Sequence, residues 1–302
     1  MKVLLIGYGS IGKRHEAVLS KFNQIKCIDI VTKQNLPDKT TYLSLNEVAD
    51  LNQYDYFVIS SETNKHYEQL KYLESKIYNK LIFCEKPLFE TDKELKIEKN
   101  KVFIGYVLRF HPLLQKLKRS LMNQKVLSVH VNCGQYLPTW RTDTDYRISY
   151  SAKKEEGGGV LLDLSHEIDY VQWLFGKIDE IKSYQMKISE LEIDSDDLTT
   201  FIGKTSSNAI VNLSLDYISK ITYRKMLIHT LESSYALDFI ANTLIKKDKD
   251  APEELFSFSN LQRNYMFEQM HKSILTDKST ICTYQEGLEV MKTISAVQEQ
   301  NR

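Results

Sequence analysis

The stretch Lys2-Val3-Leu4-Leu5-Ile6-Gly7-Tyr8-Gly9-Ser10-Ile11-Gly12 decides the fold. Lys2 to Ile6 is a short apolar run suited to a buried strand, and it enters a glycine-rich turn without a gap. A helical pattern then runs from Ser10 to about Lys21, with Ile11, Val18 and Leu19 among its apolar positions. Alone, GxGxxG is a weak signal; between a strand and a helix it reads as the phosphate turn of a dinucleotide-binding unit. Gly7 permits the tight turn, Gly9 lets the main chain approach a diphosphate, and Gly12 lets helix and strand pack closely. The diphosphate would meet the open N–H groups at the helix start, beside Tyr8, Ser10 and Ile11.

Ile25 to Val31 is the next strand, and its tip chooses the nucleotide. A carboxylate there would bind the ribose 2′-hydroxyl of NAD, but the tip carries Thr32-Lys33. A hydroxyl and an ammonium suit a 2′-phosphate, so the cofactor is NADP or NAD with the balance toward NADP. Asp29 stays open as the ribose ligand if the strand ends early, or as a polar residue satisfied at the strand edge. Tyr56 to Ser61 forms another strand, and a helix opens at Glu62-Thr63-Asn64-Lys65-His66, with Thr63 or Asn64 as its cap. Ser60, Ser61, Glu62, Asn64 and His66 are candidate cofactor contacts, His66 being equally suited to a structural role. Leu81 to Cys84 then runs straight into Glu85-Lys86-Pro87. Open α/β sheets bind ligands at the carboxyl ends of their strands, so Glu85 and Lys86 join the candidates. Proline restrains the chain just after them. A strand from Lys101 to Val107 leads out through Leu108-Arg109-Phe110-His111-Pro112.

Beyond a helix around Leu113 to Met122, Val126 to Gly134 alternates as a strand. A polar and aromatic loop follows, and Tyr136, Trp140, Arg141, Tyr146, Arg147 and Tyr150 make it a candidate substrate surface, with Arg109 nearby in sequence. The two loop arginines suit a carboxylate or phosphate. Gly157-Gly158-Gly159 then leads into one helix through Phe175, which stops at Gly176. Asp163, His166 and Asp169 recur at i, i+3, i+6 and so share a helical face. A histidine flanked by carboxylates suits proton transfer near neutral pH. No further histidine cluster completes a metal site, so no metal is expected. Strands follow at Ile181 to Lys187, Leu198 to Gly203, Asn208 to Leu215, Arg224 to Thr230 and Tyr235 to Phe239. They suggest one antiparallel sheet whose open face is a natural subunit contact. Asn264 to Leu275 and Tyr284 to Gln300 are helical.

A chain of 302 residues suits two domains, and 42% hydrophobic with 26% charged residues is ordinary for a globular protein. Lys+Arg and Asp+Glu both number 40, so no basic excess points to nucleic acid. No apolar stretch approaches the length of a membrane span, and nothing reads as a signal peptide. The cysteines Cys27, Cys84, Cys133 and Cys282 form no CxxC pair; Cys27 and Cys84 read as buried reduced thiols in strands, which fits the cytoplasm.

Together, the glycine turn, Glu85-Lys86-Pro87, Arg109-Phe110-His111-Pro112 and the Gly157-to-Asp169 segment resemble the glucose–fructose oxidoreductase/inositol dehydrogenase/MocA-like (Gfo/Idh/MocA) family. They stand in the family's order and cover nearly the whole chain. The resemblance implies an α/β fold: an N-terminal Rossmann domain, then an α+β domain with an open, mainly antiparallel sheet and an active site between them. The expected boundaries are 1–110 for the NAD(P) domain, 111–283 for the substrate and oligomerisation domain, and 284–302 for a helix packing back on the first. By resemblance, Lys86 orients substrate or moves its proton, His166 is the acid/base and Asp163 assists. Asp163 precedes His166 by three residues where the family more often has four. Gly134 to Arg141 with Tyr146-Arg147 and Tyr150-Ser151-Ala152 looks like the branch of surface-polysaccharide and sugar-nucleotide biosynthesis. The implied activity is hydride transfer between NAD(P) and a hydroxyl-bearing carbon of a sugar or sugar nucleotide, in a homo-oligomer. Its rivals are net epimerisation, elimination or hydrolysis with retained cofactor, and a non-catalytic NAD(P) sensor.

Overall fold

The computed structural model describes residues 1–140 and 145–301. The chain begins with β1 (Lys2–Ile6), α1 (Ser10–Leu19), β2 (Cys27–Val31), β3 (Thr41–Tyr42), β4 (Tyr56–Ile59), α2 (Thr63–Lys76), β5 (Leu81–Cys84) and β6 (Lys101–Ile104). It continues through α3 (Pro112–Ser120), β7 (Val126–Gly134), α4 (Leu137–Trp140), α5 (Val160–Asp163) and α6 (His166–Phe175). Then come β8 (Ile178–Met186), β9 (Leu198–Thr205), β10 (Ile210–Asp216), β11 (Tyr223–Thr230), β12 (Ser233–Asp238), β13 (Thr243–Asp248) and β14 (Glu254–Ser257). The last elements are α7 (Tyr265–Leu275), β15 (Cys282–Thr283) and α8 (Tyr284–Glu299). Among the described residues no helix is long and apolar enough to cross a membrane.

Two compact units emerge: residues 1–110 with 262–288, and residues 111–261 with the chain from Glu289 onward. This differs from the boundaries expected at 283 and 284. The apolar face of α7 decides the matter, because Phe267, Met270 and Ile274 are buried with Val3, Leu5, Val18 and Phe83 of the first unit. β15 adds to the same unit by pairing Cys282 with Ile104. The distal part of α8 instead belongs to the second unit, where Gln172 donates to the Thr293 hydroxyl at 2.7 Å.

The first unit is a Rossmann domain with sheet order β15-β6-β5-β4-β1-β2-β3. Its strands are parallel except for the short edge strand β15. All four residues of β4 are buried, as are four of five in β1, which is the signature of strands covered on both faces. Register positions the site: Ile6 pairs with Ile59 and Ile59 with Cys84. Gly7, Ser60 and Glu85 therefore emerge side by side at the carboxyl edge of three adjacent strands. Burial also corrects one expectation. Cys84 is buried but Cys27 is exposed, because Cys27 opens β2, where only the last three residues reach the core.

The second unit is a mixed, largely antiparallel sheet, β14-β13-β12-β11-β7-β10-β9-β8. β7 and β10 run parallel; the other neighbours are antiparallel. Val129, Val131 and Cys133 of β7 are buried, while Asn132 of the same strand is exposed. Strands β13 and β14 went unread because Lys246, Lys247 and Asp248 hide the alternation. The segment expected as one helix from the glycines to Phe175 is two: α5 ends at Asp163, and Leu164 leaves helical geometry with φ −98° and ψ 27°. Asp163 and His166 thus belong to different helices, and the shared face expected from their spacing does not exist.

Candidate functional site

In the first unit the glycine turn is dictated by its neighbours at two positions and left open at a third. Gly7 has φ +94°, and a Cβ there would fall 2.6 Å from the main-chain nitrogen of Ser61. A Cβ at Gly12 would fall 2.4 Å from the carbonyl oxygen of Gly7. Nothing lies within 4 Å of the place a Cβ would take at Gly9. The protein itself therefore does not require glycine at position 9, whereas a diphosphate against the main chain would. α1 starts there with no side-chain cap and no acidic residue in its first turn, so its leading N–H groups suit an anion. The residues present fit a dinucleotide. Ser60 braces the turn by donating to the Gly7 carbonyl at 2.9 Å. Tyr8 is nearly buried, and its hydroxyl donates to Glu16.

At the tip of β2, Thr32 accepts from the Gln34 main chain at 3.1 Å, and Lys33 is exposed. Asp29 is 6% exposed. It accepts from the Tyr54 hydroxyl at 2.6 Å and pairs with the Lys2 ammonium at 3.2 Å. Burial and then Asp29 push the Tyr54 phenol up, so it keeps its proton and donates. Of the openings left for Asp29, the polar residue satisfied within the sheet is the one observed.

The remaining candidates of this unit separate into exposed and engaged groups. Glu62 and Asn64 are exposed, with Glu62 paired to Lys65. Ser61 donates to Gln69 at 2.6 Å. His66 is buried, with Nδ1 3.1 Å from the Pro87 carbonyl and Nε2 3.1 Å from the Ser61 carbonyl. Burial lowers its pKa, although those carbonyls oppose the shift. The ring sits between the start of α2 and the chain just after Lys86, and in its neutral form it donates to one of these carbonyls. Lys86 itself is half-buried, and its N–H donates to Glu85 at 3.1 Å. Arg109 is 2% exposed and pairs with Glu286 at 2.9 Å, a bond that holds the exit of β6 to the start of α8.

In the second unit the segment 157–171 is buried at every position except His166. That is the decisive geometry: one titratable side chain is presented and the rest is core. Behind it, Asp163 is 3% exposed and accepts from the Ser151 and Tyr217 hydroxyls, each at 2.6 Å. Burial, then Asp163, push the Tyr217 phenol well up, so it remains a donor. Gly159, with φ +116°, abuts Asp196, whose carboxylate accepts from the Leu161 N–H at 3.1 Å and caps α5. Asp169 is buried. Among the described residues no cluster of three metal-ligating side chains occurs.

The aromatic loop is partly engaged. The Lys220 ammonium lies 4.4 Å from the Tyr136 ring centre, and Trp140 packs on Tyr217 at 5.8 Å. Arg147 is half-exposed and pairs with Asp145 at 2.8 Å and Glu192 at 3.3 Å, so an anionic substrate would have to compete for it. The Tyr146 hydroxyl accepts from the Glu192 N–H at 3.3 Å, and Tyr150 is half-buried. Arg141 lies outside the described residues.

Two buried histidines escaped the sequence reading. His15 shares the buried face of α1 with Gly12, Val18 and Leu19, and His271 sits among Phe267, Met270 and Ile274 on α7. A polar ring on an apolar helical face needs a partner, and that was the available signal.

Comparison with known proteins bears on the fold of each unit. Residues 1–101 match the Gfo/Idh/MocA "Oxidoreductase family, NAD-binding Rossmann fold", and residues 123–234 match the "GFO/IDH/MocA C-terminal domain". An uncharacterized oxidoreductase of Streptococcus pneumoniae serotype 4 (strain ATCC BAA-334 / TIGR4) is 27% identical over 45% of this chain and 38% of its own length. The 2,7-anhydro-N-acetylneuraminate hydratase of Escherichia coli (strain K12) is 25% identical over 58% of this chain and 51% of its own. The chain thus spans about half or less of the length of these curated relatives. Among solved structures, levoglucosan dehydrogenase in complex with NADH superposes with a TM-score of 0.85 at 18% identity, covering 99% of this chain and 96% of that one. The WlbA dehydrogenase from Bordetella pertussis, in complex with NADH and UDP-GlcNAcA, gives 0.80 at 14% identity, covering 99% and 95%. At such identity these two share the fold alone. With both family profiles falling in order on its two parts, the chain belongs to the Gfo/Idh/MocA oxidoreductase superfamily.

Proposed function

We propose that the protein is an NAD(P)-dependent dehydrogenase or reductase acting on a hydroxyl-bearing carbon of a sugar or sugar nucleotide, in surface glycan biosynthesis. The observation that carries this is the lone presentation of His166 from an otherwise buried segment, with Asp163 already committed to two hydroxyls. Gly7, Gly9, Gly12 and the first turn of α1 hold the diphosphate of the nucleotide. When bound, the nucleotide supplies the hydride acceptor or donor. His166 takes the proton of the substrate hydroxyl as the carbon gives up its hydride, leaving a carbonyl. Lys86 stabilises the negative charge developing on that oxygen. Asp163 acts through its fixed hydrogen bonds. The engagement of Asp29 leaves Thr32 and Lys33 at the strand tip and supports NADP.

A second reading keeps the nucleotide bound through alternate oxidation and reduction, giving net non-redox chemistry. The name of the Escherichia coli relative, a hydratase, favours it.

Binding of NADH and NADPH to the purified protein tests both, followed by native mass spectrometry of the protein as isolated. Tighter NADPH binding supports the strand-tip assignment, and tighter NADH binding overturns it. Nucleotide retained through purification favours the closed cycle. Lys86→Ala and His166→Ala should each keep nucleotide affinity and lose turnover on an oxidised sugar; preserved turnover would remove that residue from its role.

A further inference from the structure

The first unit buries a row of four polar side chains that the phosphate turn does not use. The Tyr56 hydroxyl lies 2.9 Å from Nδ1 of His271, and Nε2 of His271 lies 2.8 Å from Nδ1 of His15. Nε2 of His15 lies 2.8 Å from Oε1 of Glu85. Tyr56, His15 and His271 are fully buried, and Glu85 is 9% exposed. The four come from β4, α7, α1 and the end of β5. Phe83 and Phe267 enclose the row, with ring centres 4.9 and 5.6 Å from that of His15.

Hydrogen placement along the row follows from its far end. Burial, then the charge of Glu85, push the Tyr56 phenol well up, so it keeps its proton. The acceptor that faces its hydroxyl is Nδ1 of His271, which places the proton of that ring on Nε2. Burial lowers the pKa of His271 and keeps the ring neutral. Its Nε2–H donates to Nδ1 of His15, which leaves the His15 proton on Nε2, directed at Glu85. Every nitrogen then has one role and every donor an acceptor.

The near end of the row is the Lys86 segment. The second oxygen of Glu85 accepts from the Lys86 main-chain N–H at 3.1 Å. Gly105 leaves room for the carboxylate, since a Cβ there would stand 3.1 Å from it. A buried carboxylate persists only where donors face it, and here they are one imidazole and one peptide N–H. Arg14 and His66 also interact electrostatically with Glu85, though neither is hydrogen-bonded to it.

We propose that His15 and His271 are positioning residues: through this one-way chain they fix the Glu85 carboxylate, and with it the main chain at Lys86. The proposal rests on the assignment of Lys86 to the reacting oxygen.

Heteronuclear NMR of histidine- and lysine-labelled protein, free of nucleotide and near neutral pH, tests it. Both rings should report the neutral Nε2–H tautomer, and Lys86→Arg identifies the Lys86 amide signal. His15→Leu, which cannot donate to Glu85, should move that amide signal. His15→Gln carries an N–H where Nε2 stood and should restore that signal. An Nδ1–H tautomer or a charged ring at His15 or His271 overturns the proposal, as does a Lys86 amide indifferent to His15→Leu. If His15→Leu does not fold, Tyr56→Phe decides: its loss of one hydroxyl should shift the Nδ1 signal of His271, and no shift overturns the chain. A wild-type protein that binds neither NADH nor NADPH would sink the proposed function, while the ring tautomers would still judge the relay.

Discussion

Glu167, fully buried on α6, accepts from both Nε and Nη2 of Arg224 on β11, at 2.6 and 3.1 Å. Glu167 directly follows His166 in sequence, and the pair ties the site helix to the sheet. Burial opposes the charge of Arg224, but Glu167 outweighs it and raises the guanidinium pKa. Removing one partner leaves the other buried without compensation. Arg224→Met should therefore destabilise the second unit by about 3 kcal/mol or more. The double variant with Glu167→Gln should recover much of the loss in urea unfolding. Equal losses in the single and double variants would show that packing, not charge, carries the contact.

The glycine turn predicts opposite outcomes for two similar substitutions. Gly12→Ala forces a methyl against the Gly7 carbonyl and should cost about 1–3 kcal/mol of stability. Gly9→Ala meets open space, so its melting temperature should match the wild type. Its NADH and NADPH affinities should fall by about tenfold or more, a shift of about 1.4 kcal/mol. Unchanged affinity in Gly9→Ala would place the diphosphate elsewhere.

Acid should weaken the first unit earlier than carboxylates alone would require. Burial lowers the pKa of His66 and, further, of His271 below the ordinary 6.5. Both rings stay neutral in the fold while they take up protons in the unfolded chain. Their contribution is complete above about 6.5 and is lost as the pH falls below it, by up to about 1.4 kcal/mol per pH unit for each ring. Thermal unfolding of the wild type should show that slope, and His66→Gln should reduce it by one proton. A wild-type stability that is flat across this range would contradict the buried neutral state.

A homo-oligomer through the second sheet would use a row set by strand register. Ile202, Asn212, His130, Leu227, Ala236, Ile245 and Leu255 lie side by side across six pairs of neighbouring strands. Ile202, Leu227 and Leu255 are 48%, 39% and 65% exposed; Leu227 to Leu255 is an apolar stripe, and Asn212 and His130 separate it from Ile202. Sedimentation should find the wild type associated and the double variant Ile202→Lys, Leu227→Lys monomeric. A monomeric wild type would remove this face from assembly.

Much was legible in the chain because its signals are local. Gly7, Gly9 and Gly12 sit within six residues in the spacing of a phosphate turn, and Glu85-Lys86 follows a strand that is apolar throughout. His166 stands out as a histidine flanked by carboxylates. These depend on backbone geometry and hydrophobic period, which a few neighbouring residues determine. Other features depended on what the fold brings near. The break after Asp163 separates two residues whose spacing reads as one face, and Asp163 is instead held by the hydroxyls of Ser151 and Tyr217. Asp29 was ambiguous until Tyr54 and Lys2 claimed it. His15 and His271 are 256 positions apart, and their hydrogen bond exists only because α7 returns to the first core. Periodicity identifies the face a residue occupies; which buried polar group satisfies it is decided by the tertiary structure, because that partner can come from anywhere in the chain.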